Sequence, residues 1–183
     1  LEYITRAMKI RPESAEYAFT LGQISEALGS REAALAAHGK AVQLDKNYVK
    51  PRIELGRLYD EAGQYDKAME HLLAAYKIDP DSVEVNNNLG SVYLHKELYT
   101  ESIAHYVKAI SKQPNVPLMR YNLGLAYTGA NKFIEARDTF QQLIKMEPSY
   151  WEAYHNLGKI LITLGDKAGA KEILQGLLAK KPD

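Results

Sequence analysis

The chain has 183 residues, with Lys plus Arg and Asp plus Glu both numbering 23, a formal net charge of zero at pH 7 and no cysteine. Zero net charge leaves no bulk attraction to nucleic acid or an anionic membrane, and the missing cysteine removes disulfides, thiolate metal sites and cysteine nucleophiles. No apolar run reaches the roughly 20 residues that cross a bilayer, and no basic and apolar leader follows Leu1, although a cleaved leader would leave the same sequence.

Leu1 to Arg11 puts Ile4, Ala7 and Ile10 on one helical stripe and stops at Pro12, which reads as the second half of a helical hairpin over residues 1–14. A beat of 34 residues then runs through the chain. Leu21-Gly22, Leu55-Gly56, Leu89-Gly90, Leu123-Gly124 and Leu157-Gly158 keep it, as do Pro12, Pro80, Pro114, Pro148 and Pro182, with Lys46 in the one missing proline place. A period of this length belongs to a supersecondary element that stacks on copies of itself. Five repeats follow, over 15–48, 49–82, 83–116, 117–150 and 151–183. In the repeat from Val49 to Ser82, Leu55, Tyr59 and Ala62 share the face of a first helix, and Gly63 ends it. Tyr65 to Ile78 forms a second helix along Ala68, Leu72, Ala75 and Ile78, Pro80 prevents its continuation, and Asp81 or Ser82 caps the next helix.

Leu-Gly at positions seven and eight, Tyr at eleven in Tyr59, Tyr93 and Tyr127, a small residue at twenty in Ala34, Ala68, Ser102, Ala136 and Ala170, and the terminal proline together resemble the tetratricopeptide repeat family. The resemblance implies an all-α, right-handed superhelical solenoid of about 5.5 repeats, with small residues letting paired helices approach and Leu21, Leu72, Tyr106, Phe140 and Leu174 filling the space between hairpins. The fourth position, often aromatic in the family, holds Ala18, Arg52, Asn86, Arg120 and Tyr154, so tyrosines elsewhere are expected to compensate. The corner at Lys96-Glu97 lacks the usual glycine and that at Gly129-Ala130-Asn131 moves it earlier, so both are expected to be less tight. Leu174, Leu177 and Leu178 are followed by no polar capping helix, which implies a fragment of a longer array or an end that pairs with another chain, as in a homo-oligomer.

In such a stack the first helix of each repeat lines the concave face, so the residues it does not spend on packing form the binding surface. Asn88, Asn122 and Asn156 recur there at position six; a carboxamide both donates and accepts, which suits the backbone of an extended peptide, although bonds to neighbouring helices are the plainer alternative. They look like the asparagine ladder of peptide-gripping superhelices such as those of O-linked N-acetylglucosamine transferases. Leu94, Leu118, Tyr121 and Leu125, with Ile162, form an apolar patch unless tighter curvature buries some of them. Asn87, His155 and Lys159 complete the predicted peptide-binding set, and Glu54, Arg57, Asp60 and Glu61 form a second, acidic stretch. The partner expected is a protein or peptide with an apolar anchor and a basic residue. The family's carboxylate clamp is not matched, because the corresponding triplets read Ile53, Arg57, Asn88, Leu118, Asn122 and Asn87, Ser91, Asn122, Glu152, Asn156.

His38, His71, His95, His105 and His155 form no helical metal pair, and no phosphate loop, nucleophile elbow or dinucleotide fingerprint is present, so neither a cofactor nor catalysis is expected. The reading is a non-enzymatic interaction scaffold, with two alternatives: an assembly module joined through its ends, and a targeting arm of a larger enzyme such as a glycosyltransferase. Cytoplasm and periplasm remain equally open, and the lack of long insertions and of cysteine favours a bacterial array.

Overall fold

Amphipathic segments of near-constant length, each bounded by a turn, fold into ten helices among the described residues, 14–180, of the computed structural model. They are α1 (Ala15–Ala27), α2 (Arg31–Leu44), α3 (Val49–Glu61), α4 (Tyr65–Ile78), α5 (Val83–His95), α6 (Tyr99–Lys112), α7 (Pro117–Gly129), α8 (Phe133–Met146), α9 (Trp151–Thr163) and α10 (Lys167–Lys180). The half hairpin read from Leu1 to Arg11 lies outside the described residues. Ser14 Oγ accepts from Tyr17 N at 3.3 Å ahead of α1. Ser82 Oγ accepts from Val85 N at 3.3 Å ahead of α5, so Ser82 rather than Asp81 is the cap there.

The chain divides into two compact units, residues 1–92 and 93–183. In the first, Ala18, Ala34, Ala41, Leu55, Ala68, Leu72, Ala75, Val85 and Leu89 are buried. In the second, a core of Ala136, Phe140, Leu143, Ala153, Leu157, Ile160, Leu161 and Ala170 joins α8, α9 and α10. The helical glycines mark where helices touch: a methyl added at Gly124 would stand 2.6 Å from Phe140 Cζ, and one at Gly158 3.0 Å from Leu174 Cδ2.

Three sequence expectations change. Leu21, expected with Leu72 to fill the space between hairpins, is only half-buried, and the side chain that lies against Gly22 as Leu72 lies against Gly56 is the fully buried His38. The corners with no glycine at the left-handed place are not looser. Glu97 and Asn131 take φ of 59° and 57°, beside 72°, 70° and 83° at Gly29, Gly63 and Gly165. Every corner also closes with the same pair of bonds: Glu97 N to Leu94 O at 3.0 Å and Leu98 N to Tyr93 O at 2.9 Å match Gly63 N to Asp60 O and Gln64 N to Tyr59 O, both 2.9 Å. The helix must end there whatever residue stands at the corner, and the side chain accepts the strain.

Nor do tyrosines elsewhere take over the fourth position. There the side chain donates to the backbone carbonyl six residues earlier, at the proline place of the preceding repeat. Arg52 reaches Lys46 O at 2.8 Å, Asn86 reaches Pro80 O at 2.9 Å, Arg120 reaches Pro114 O at 2.9 Å, and Tyr154 reaches Pro148 O at 3.2 Å. Arg, Asn and Tyr are interchangeable because each satisfies a carbonyl that the ended helix leaves open. Tyr59 and Tyr93 instead stack on His71 and His105, with ring centroids 5.6 and 5.3 Å apart. Burial holds both imidazoles below their ordinary pKa.

Candidate functional site

In the second compact unit, α7 and α9 place most of the predicted binding residues. Leu118 and Ile162 are open, at 57% and 55% exposure. Leu94, Tyr121 and Leu125 are only half-buried, and Tyr121 and Leu125 pack on the core around Phe140, so the patch is narrower than the sequence suggests. The Tyr121 ring stands edge-on to Phe140 at 5.9 Å and is tilted against Tyr150 at 5.1 Å. Burial, then the nearby Glu152 carboxylate, pushes the Tyr150 phenol pKa up, so that hydroxyl stays neutral at pH 7.

The three asparagines are not equivalent. Asn122 is half-buried and its side chain makes no hydrogen bond to another described residue, so its whole carboxamide is available. Asn156 Nδ2 donates to Tyr121 Oη at 3.2 Å and to Glu152 O at 2.9 Å, which uses both its protons and leaves Oδ1 as an acceptor. In the first compact unit, Asn88 Oδ1 accepts from Asn87 Nδ2 at 3.1 Å, leaving the Asn88 amide protons. Bonding within the chain therefore takes part of the ladder and leaves part of it.

Tyr121, Asn156 and His155 also line a pocket of about 330 Å³ with Trp151, Glu152 and Leu177. Lys159 is exposed one turn beyond His155. Trp151, Glu152 and Leu177 were not in the predicted peptide-binding set, although Glu152 falls on the face that the first helix of its repeat presents. The first two stand at the opening positions of their repeat, and Leu177 comes from the second helix of the hairpin, so spacing along α9 alone does not reveal the pocket.

The acidic stretch of the first unit is occupied from within. Arg57 Nε donates to Glu54 Oε2 at 2.9 Å, Nη1 donates to Glu61 Oε1 at 2.7 Å, and Nη2 pairs with Glu26. Arg31 adds a 2.7 Å bond to Glu61, and the buried His38 Nε2 lies 2.9 Å from Glu26 Oε1. Burial alone would lower the Arg57 pKa, but Glu54, Glu61 and Glu26 outweigh it and raise the value. Asp60 accepts from Ser91 Oγ at 2.8 Å. A pocket of about 190 Å³ lies over the network, lined by Glu26, Gly29, Arg31, Arg57, Leu58 and Glu61. The spacing of Glu54, Arg57 and Glu61 was legible along α3; the contributions of Glu26 and Arg31 from the preceding hairpin were not.

Among the described residues no group of His, Asp and Glu is placed to hold a metal ion, and no helix is long and apolar enough to cross a membrane. Family profiles described as "TPR repeat" and "Tetratricopeptide repeat" match residues 56–97, 83–115 and 127–183. No curated protein matches the sequence. Among solved structures, YrrB, described as a TPR protein with an unusual peptide-binding site, is similar with a TM-score of 0.88 at 20% identity, over 98% of this chain and 93% of that one. A MamA protein gives 0.86 at 23% identity over 93% of both chains. MamA from Desulfovibrio magneticus RS-1 gives 0.87 at 21% identity, over 92% of this chain and 95% of that one. At these identities the likeness establishes the fold, an all-α tetratricopeptide-like solenoid.

Proposed function

We propose, since this chain belongs to the tetratricopeptide repeat family, that it is a protein-interaction scaffold which binds an extended peptide or partner segment on the face carried by α7 and α9. The fold is that of interaction modules rather than of catalysts, and the peptide-binding site described for YrrB supports the same kind of partner. The observation that carries the reading is the state of the asparagines. Asn122 keeps its donors and acceptor, and Asn156 keeps an acceptor, on a face that also exposes Leu118 and Ile162. A peptide backbone offers one donor and one acceptor per residue, which matches these groups, and the exposed leucine and isoleucine give its side chains apolar surface to cover.

The test uses Asn122→Ala combined with Leu118→Glu. Leu125→Glu is less suitable because Leu125 packs on the core. A random-peptide display library is panned on the wild-type chain and a selected peptide is titrated by fluorescence anisotropy. The variant should lose about tenfold or more in affinity, from one lost hydrogen bond and one lost apolar contact, with an unchanged melting temperature. Equal affinity for the two proteins would end the proposal.

A further inference from the structure

Two polar groups of the Trp151 pocket are available as acceptors. Glu152 contributes a carboxylate that no cation among the described residues pairs with, and Asn156 contributes Oδ1, its amide protons being held by Tyr121 Oη and Glu152 O. The remaining walls are the Trp151 and Tyr121 rings, Leu177 and the exposed imidazole of His155. Two acceptors beside two aromatic side chains complement a flat cation with several donors, which can bond to the carboxylate and amide oxygens while stacking on a ring. A purely apolar side chain would bring a carboxylate out of water with nothing in return. Arg57 illustrates the same chemistry within this chain, its guanidinium held by glutamates from two hairpins. That occupancy also engages Glu54 and Glu61 of the acidic stretch of α3 within the chain.

We propose that the pocket between Trp151, Tyr121 and Leu177 takes an arginine side chain of the bound peptide, with Glu152 as its counter-ion and Asn156 Oδ1 as a second acceptor. The assignment rests on the reading of the α7 and α9 face as a peptide-binding surface and specifies which peptides that surface prefers. The guanidinium lies against the aromatic walls, and its aliphatic stem covers Leu177.

Trp151 is the sole tryptophan of the chain, so its emission reports the pocket directly. A peptide selected from a random-peptide display library is synthesised with its arginine and with citrulline, the neutral isostere, and both are titrated against the wild-type protein and Glu152→Gln. Selected peptides should be enriched in arginine and should change Trp151 emission saturably. Citrulline should weaken binding to the wild-type protein about tenfold or more. Glu152→Gln should weaken the arginine peptide to a similar extent and leave the citrulline peptide unchanged. Thermal melts of both proteins should coincide, Glu152 being exposed. Selected peptides without arginine enrichment, or equal affinity of the arginine peptide for the wild-type protein and Glu152→Gln, overturn the pocket assignment and leave the peptide-binding face standing. Failure to select any peptide overturns both.

Discussion

Glu97→Gly should stabilise the protein. Glu97 holds a φ of 59° while closing its corner with bonds of 3.0 and 2.9 Å, lengths that the glycine corners share. The hydrogen bonds are thus unaffected by the substitution, and only the backbone strain differs. A left-handed conformation costs a residue with a Cβ about 1–2 kcal/mol, and the greater freedom of glycine in the unfolded chain returns about 0.4–1 kcal/mol of that. The net gain is about 0.5–1 kcal/mol, or roughly 1–4 °C in melting temperature for a chain of this length. Gly63→Ala is the mirror experiment: no atom lies within 4 Å of the added methyl, so its whole effect is backbone strain and should be a loss of about the same size. Circular dichroism at 222 nm, followed through thermal and urea unfolding, measures both variants. A Glu97→Gly midpoint at or below wild type, with a neutral Gly63→Ala, would refute the claim that these corners are one structure differing only in strain.

Gly124→Ala should destabilise by about 1–2 kcal/mol despite alanine's better helix propensity, because the methyl meets the rigid, buried Phe140 ring. Gly158→Ala should be milder, since half-buried Leu174 can move aside; urea midpoints rank the two. Arg57→Met should lower stability by on the order of 1 kcal/mol, a modest figure because the guanidinium is partly exposed, and the deficit should shrink as salt screens Glu26, Glu54 and Glu61. Stability should also fall on mild acidification. His71 and His105 have folded pKa values below the unfolded value of about 6.5, so their contribution is complete above that pH and is lost as the pH falls toward their folded values. Urea midpoints at pH 7.5 and 5.5 should differ less in His71→Leu than in the wild-type protein.

The fold was legible because the chain repeats its instructions. Leu-Gly, the corner residue and the proline place recur together, and each has a local physical meaning that survives without knowledge of its neighbours. What escaped depended on partners distant in sequence. His38 substitutes for a leucine between helices, a place that counting back 34 residues from Leu72 would have found. Arg52, Asn86 and Arg120 look like departures from an aromatic pattern until the carbonyls they satisfy are seen. The candidate site divides in the same way. Positions on α7 and α9 follow from helical periodicity, whereas the half-burial of Tyr121 and Leu125 depends on Phe140 in the next helix. The pocket depends on Leu177 from α10, and the internal capture of Arg57 depends on Glu26 from the preceding hairpin.

The central claim concerns where a peptide lies, and a backbone-amide NMR titration of the wild-type protein with a library-selected peptide tests it most directly. Perturbed resonances should cluster along Leu118–Leu125 of α7 and Glu152–Lys159 of α9, with α6 and α8 unmoved. Saturable shifts confined to α6, α8 or the far side of α10 would contradict it.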